Sequence, residues 1–174
     1  LRQLAAAIAA RHTDAPFAAI HALFAGQSGY ATPRIEVRGA VFNGQGQLLL
    51  VREVADQHRW TLPGGWLDVG LSPAEGIRRE IQQESGYQAR ITKLVAVWDR
   101  RCHPYPRGPF ACVAFFFLAE LIGGEARAGL ETSGSGWFGR DQLPQDLSLG
   151  RVLPEQLIRM FAHYDNPSRP TDFD

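Results

Sequence analysis

The stretch "LPGGWLDVGLSPAEGIRREIQQESGY", residues 62–87, carries a helix marked at both ends and a loop able to approach it closely. Ser72-Pro73-Ala74-Glu75 starts the helix: the serine caps it, the proline fills the first turn where a missing N–H costs nothing, and Glu75 completes a capping box. Gly86 closes it in the left-handed conformation. Between these ends, the spacing predicts a buried stripe of Ala74, Ile77 and Ile81, with Glu80 and Glu84 projecting together from its edge and Gln83 on the outer side. Two carboxylates at that spacing repel on a bare helix, so the patch calls for a positive partner. A hard dication such as Mg²⁺, which takes oxygen ligands and keeps several waters, meets the demand. Upstream, Gly64-Gly65 lets the backbone turn tightly and bring carbonyls and amides near the carboxylates, so that loop and helix face one ion. A Glu-rich helix edge alone is a solvated surface, and Gly-Gly after proline alone is a turn; the combination at this spacing is the signal.

Outward from this segment, "IEVRGAVF" (35–42), the turn "NGQG" and "QLLLVRE" (47–53) read as a strand hairpin. Further strands are expected at 91–99, 110–121 and 136–138, and a last helix from Pro154 to about Tyr164 with Leu157, Ile158 and Phe161 inward. At the front, Leu1, Leu4 and Ile8, then Phe17, Ile20 and Phe24 after the Asp14-Ala15-Pro16 start signal, predict a helical hairpin. "GQSGYATPR" (26–34) is rich in turn formers and reads as a linker. The expected organisation is an extension and linker over residues 1–33 and a main domain over 34–174, the whole an α/β sandwich preceded by helices. A two-helix piece cannot form its own core, so its apolar stripe is expected to pack on another subunit and give a homodimer.

The 174 residues suffice for one well-packed core, and 18 basic residues cancel 18 acidic ones. No overall field then favours nucleic acid or an anionic membrane, and an anionic small substrate needs a local positive site or a bound cation. The longest apolar run, "FACVAFFFLAELI" (110–122), carries Glu120 and is too short to span a bilayer. Two cysteines, Cys102 and Cys112, without a secretory signal lead to the expectation of a reducing compartment, the cytoplasm.

The opening segment resembles the signature of the Nudix hydrolases, G-x5-E-x7-R-E-U-x-E-E-x-G-U, where U is a bulky apolar residue. Gly65, Arg79-Glu80, Ile81, Glu84, Gly86 and Tyr87 match it; Leu71 replaces the first glutamate and Gln83 the first of the later pair. The flanking strands and "WFGRDQLP" (137–144) fit the family's order of elements. The helical hairpin, "GYATPR", "VWDR" and "ELIGGE" are similar to a bacterial branch that includes enzymes cleaving CDP-choline or ADP-ribose-like compounds. The resemblance implies an α/β/α sandwich with a mixed sheet. It also implies an enzyme that hydrolyses a nucleoside diphosphate linked to another moiety, with Mg²⁺ or Mn²⁺ neutralising the pyrophosphate.

Carried over residue by residue, the resemblance makes Glu80 and Glu84 metal ligands, joined by the Gln83 carbonyl and the Gly64 backbone, with Arg79 orienting the glutamates. The base is Glu80 or Glu131 of the loop "GLETSGSG". Gln83 still offers an oxygen, but a charge missing about 4 Å from a dication removes several kcal/mol of pairwise attraction before solvent compensates. Leu71 offers no hydrogen bond at all. The altered box therefore leaves a second reading, a nucleotide-binding or regulatory module with impaired turnover. Arg38, inside an otherwise apolar strand, and Arg100, Arg101 and His103, at a strand end, are candidates to hold phosphates or support them, and Trp66 to stack on a base.

Overall fold

The computed structural model of the chain describes residues 2–26 and 32–174. Most of the expected linker, residues 27–31, lies outside the described residues. Helices α1 (Arg2–Arg11) and α2 (Phe17–Ala25) form the expected hairpin. They are followed by β1 (Arg34–Phe42), β2 (Leu48–Glu53), β3 (Arg59–Thr61), α3 (Pro73–Ser85), β4 (Tyr87–Asp99), β5 (Cys112–Gly124), β6 (Thr132–Phe138), α4 (Pro154–Asp165) and β7 (Asp172–Phe173). The strands make one seven-stranded mixed sheet in the order β3-β2-β1-β5-β4-β7, with β6 also on β2. Strand β1 runs parallel to β5, and β4 parallel to β7; the other pairings are antiparallel.

Alternation along β1 sends its side chains into two cores. Val37 and Val41 pack with Ile77 and Ile81 of α3, while Ala40 and Phe42 pack with Leu157, Met160 and Phe161 of α4. The sheet is thus held between α3 and α4, the α/β/α arrangement expected. Close seating of α3 depends on Gly39, where an added β-carbon would lie 2.9 Å from Ile81 Cδ1 and 3.0 Å from Ile77 Cγ1. Each of those isoleucines is fully buried, which stabilises the chain by about 1.5–3 kcal/mol per side chain.

Helix α3 begins with the predicted capping box between Ser72 and Glu75 and ends at Gly86 with φ 79°. Ala74 departs from the predicted stripe and is exposed, because burial of the helix begins at Gly76, which Leu67 covers. In α4, Ile158 is likewise turned outward; Leu157, Met160 and Phe161 form the inward face at i, i+3 and i+4. The polar tail also holds an unexpected strand. β7 lies along β4, Thr171 donates to the Leu94 carbonyl at 2.8 Å, and Lys93 donates to that of Pro167 at 2.9 Å. Among the described residues, no helix is long and apolar enough to cross a membrane.

In the N-terminal hairpin Ala6 and Ile20 are fully buried, while Leu4, Ile8, Phe17 and Leu23 stay exposed. Leu1 of the expected stripe lies outside the described residues; among those described, Ile20 is enclosed within the chain itself, and Phe17 stacks on His21 with ring centroids 5.6 Å apart.

Candidate active site

Strands β1 and β2 meet at their hairpin end, where Phe42 faces Leu48, and β2 then pairs with β3 and β6. The edge of β1 left by this divergence is taken by the glycine loop. Gly39 N–H donates to the Pro63 carbonyl, Val37 N–H to that of Gly65, and Leu67 N–H to that of Ile35, all at 2.9 Å. The loop is therefore stitched to the middle of the sheet like a strand. Gly64 has φ 141°, and a β-carbon there would stand 2.0 Å from the Val37 carbonyl oxygen, so no other residue fits. Its N–H donates to Glu84 Oε2 at 2.8 Å. At Gly65 an added β-carbon would lie 3.6 Å from Glu80 Oε2. Loop and helix thus approach each other across the two glutamates, as their spacing in the sequence suggests.

Glu84 is 5% exposed. Burial pushes its carboxyl up to about 8; the Gly64 N–H and Arg38 pull against that rise, and Glu80 and Glu53 add to it. Burial also raises Glu80, with Arg79 opposing and Glu131 and Asp68 reinforcing. These groups open on a cavity of about 1000 Å³ that Glu53, Glu80, Glu84, Glu131, Arg127 and Arg151 help to line. Like charges gathered in a partly dry site hold one another towards protonation, and a cation there would reverse the shift.

Two further acids contribute. Asp68, at an open position of the motif three residues before Leu71, forms an ion pair with Arg79 from the loop before the helix. Glu53 ends β2, buried, with Oε2 3.3 Å from Arg151 Nε and Oε1 accepting from Ala55 N–H. Its only sequence signal is an acid closing the apolar run "LLLVRE".

Arg38 is 4% exposed and lies on a central strand, not an edge. It donates to Glu36 Oε1 at 3.0 Å and to the carbonyls of Gly64 at 2.7 Å and Leu62 at 3.3 Å. The Gly64 carbonyl, expected to face the ion, is thus already held by a guanidinium, which competes with a dication for that oxygen; the loop offers the carboxylates its N–H instead. The other oxygen of Glu36 receives Arg100 at 3.0 Å, and Arg100 also lies 4.1 Å over the Tyr105 ring. Cys112, beside Glu36 at 3.7 Å, is pushed up to about 12 by burial and the glutamate's charge, which makes it an inert thiol.

Gln83 is exposed on the cavity wall, and Trp66, 50% exposed, stands at its edge. Arg101 and His103 lie elsewhere: Arg101 pairs with Asp99 and His103 with Asp174 at 3.1 Å, both bordering a second cavity. Among the described residues no group of three or more His, Cys, Asp or Glu side chains is placed to hold a metal ion. Glu80, Glu84 and the Gln83 amide nevertheless fit a hard cation that keeps most of its waters, because such an ion asks for only one or two carboxylates from the protein.

Comparison with known proteins agrees with this geometry. Residues 32–158 match the NUDIX domain. The Bacillus subtilis (strain 168) protein YjhB, provisionally named an ADP-ribose pyrophosphatase, is 39% identical over 174 residues, covering 100% of this chain and 82% of that protein. The crystal structure of an ADP-ribose pyrophosphatase from Streptococcus suis 89-1591 superposes with a TM-score of 0.73 at 34% identity, over 82% of this chain and 100% of that one. That of a UDP-X diphosphatase gives 0.72 at 26% identity, over 99% of this chain and 96% of that one. Since the matched region runs from the strand before the glycine loop through the helix that carries both glutamates, the chain belongs to the Nudix hydrolase family.

Proposed function

We propose that the chain hydrolyses the pyrophosphate bond of a nucleoside diphosphate linked to another moiety, compounds of the ADP-ribose or CDP-choline kind, with help from a divalent cation. The observation that carries this reading is the cavity where Glu80 and Glu84 face the Gly64-Gly65 loop while Arg127 and Arg151 stand on its walls. Carboxylates alone would repel a diphosphate, so acids and arginines in one chamber suit a substrate that arrives with a cation. Glu80, Glu84 and the Gln83 amide oxygen would hold Mg²⁺ or Mn²⁺, which neutralises the diphosphate and acidifies a water. Arg79, itself held by Asp68, fixes the adjacent Glu80. Glu80 or Glu131 takes the proton of the attacking water; the new P–O bond forms as the bridging one breaks, and two phosphomonoesters leave. The alternative of an impaired binding module rested on Leu71 and Gln83, and Asp68 weakens its first half by supplying Arg79 with a carboxylate. The two free cysteines keep the cytoplasm as the proposed setting. Titration calorimetry on the metal-free chain should record binding of Mn²⁺ that disappears in the Glu80→Gln, Glu84→Gln double variant. Unchanged heats in that variant would move the cation elsewhere.

Residues 1–33 are proposed to act as an extension of the 34–174 domain that also joins two copies of the chain. Support comes from the exposed apolar side chains Leu4, Phe17 and Leu23 on a two-helix piece. Light scattering at micromolar concentration should give twice the chain mass, falling to one chain mass in a Leu4→Glu, Leu23→Glu variant. A monomer in both would end the idea.

A further inference from the structure

Behind Trp66 lies a second, half-open cavity of about 970 Å³ between the N-terminal hairpin and the segment of residues 101–112. Trp66 and Arg100 border both cavities, so the two chambers adjoin. Tyr105 and Phe110 supply aromatic rings on one side, while Ala5 and Ala9 of α1 face them with small apolar groups. Arg34 lies 3.6 Å over the Phe110 ring and 5.6 Å from that of Trp66, which fixes both rings from behind. Arg101 and Arg107 add positive charge to the lining, and no carboxylate stands among its described residues.

These features select a ligand chemistry. Aromatic rings facing small apolar groups suit a flat, uncharged ring. A quaternary ammonium would meet rings too, but Arg100 and Arg101 already hold the nearby Glu36 and Asp99, and the lining offers no carboxylate to hold a second cation. We propose that the second cavity takes the nucleobase of the substrate, with α1 and α2 of the same chain as its roof. The assignment rests on the reading of the first cavity as the diphosphate site, since the shared Trp66 and Arg100 are where the sugar joins the two halves. The hairpin is then part of substrate recognition within one chain, and a cationic leaving group such as choline points away from it.

The test uses binding of adenosine, which has no phosphate, to the full-length chain by ligand-observed NMR or calorimetry, with choline as the cationic probe. Adenosine should bind and choline should not. Ala9→Trp, which fills the chamber, should abolish adenosine binding, and Phe110→Leu, which removes a ring from the lining, should weaken it about threefold to tenfold. Thermal melting shows whether each variant is folded; if Ala9→Trp is not, Phe110→Leu decides. Adenosine binding equal in both folded variants and the parent would reduce the cavity to a packing gap and overturn the proposal, as would choline binding in preference to adenosine. Adenosine binding in a chain that cleaves no diphosphate would sink the hydrolase reading and leave the base site standing. Cleavage with a KM unchanged by Ala9→Trp would sink the base site alone.

Discussion

Exchange of Glu80 for glutamine should lower kcat for diphosphate hydrolysis by about a thousandfold or more. The two side chains have nearly the same shape, so the change removes charge and little else. A unit charge about 4 Å from another is worth about 4 kcal/mol at the effective dielectric of a partly buried site, and twice that beside a dication before solvent compensates. Half of the larger figure already corresponds to about three orders of magnitude. Glu80 is partly buried and held above the usual carboxylate range, mainly by desolvation, as suits a group close to reacting water. Steady-state rates of the variant, set beside those of Glu131→Gln, also tell which carboxylate takes the proton. A loss below tenfold at Glu80 would place both the cation and the proton transfer elsewhere. Stability should respond in the opposite sense at Glu84. Its folded value of about 8 exceeds the ordinary 4.5, so the stability it contributes is full below 4.5 and is lost as pH rises through about 8. In the metal-free chain at pH 8, Glu84→Gln should therefore raise Tm while it removes activity, the conflict between function and stability usual in a charged site.

Gly64→Ala should be the most destabilising single exchange in the site. Its φ of 141° lies where side chains are strained, and the new carbon would stand 2.0 Å from the Val37 carbonyl oxygen and 3.0 Å from Arg38 Cα, both backbone atoms of a central strand. Neither can move without breaking the hydrogen bonds by which the loop replaces β2 along β1. A cost of about 3–5 kcal/mol follows, lowering Tm on the order of 10 °C. The Gly64 N–H that holds Glu84 would shift as well, so residual folded protein should be inactive. Melting curves and rates on Gly64→Ala check both halves. An unaltered Tm would mean that the loop is not pinned to β1.

The parts of the site that could be read in the sequence are those encoded over short distances. Ser72, Pro73 and Gly86 mark the helix ends because caps act within one turn, and the Glu80–Glu84 pair follows from helical geometry alone. Asp68 is not legible as the partner of Arg79, since their ion pair spans eleven positions and a turn whose path depends on the packing of Leu67 on Gly76 and its hydrogen bond to Ile35. Glu53 was hidden for a similar reason: its place in the cavity depends on where β2 leaves β1. Arg101 and His103 looked equivalent to Arg100 in a run of polar residues, yet the short 3-10 turn at Arg100–Cys102 sends Arg100 to Glu36 and leaves Arg101 on Asp99. Strand β7 leaves no signal in the sequence because two residues carry no periodicity, and its pairing with β4 draws on side-chain contacts made more than seventy positions apart.

The most direct measurement of the central claim follows ADP-ribose and CDP-choline by phosphorus NMR in the presence of the full-length chain, with Mg²⁺ or Mn²⁺ and then with excess chelator. The account predicts that the diphosphate signals of at least one compound give way to two phosphomonoester signals, that the chelator stops the change, and that Glu80→Gln does not support it. Diphosphate signals left intact with both cations, or cleavage that continues in the chelator or in Glu80→Gln, would contradict the assignment of this cavity as a cation-assisted pyrophosphohydrolase site.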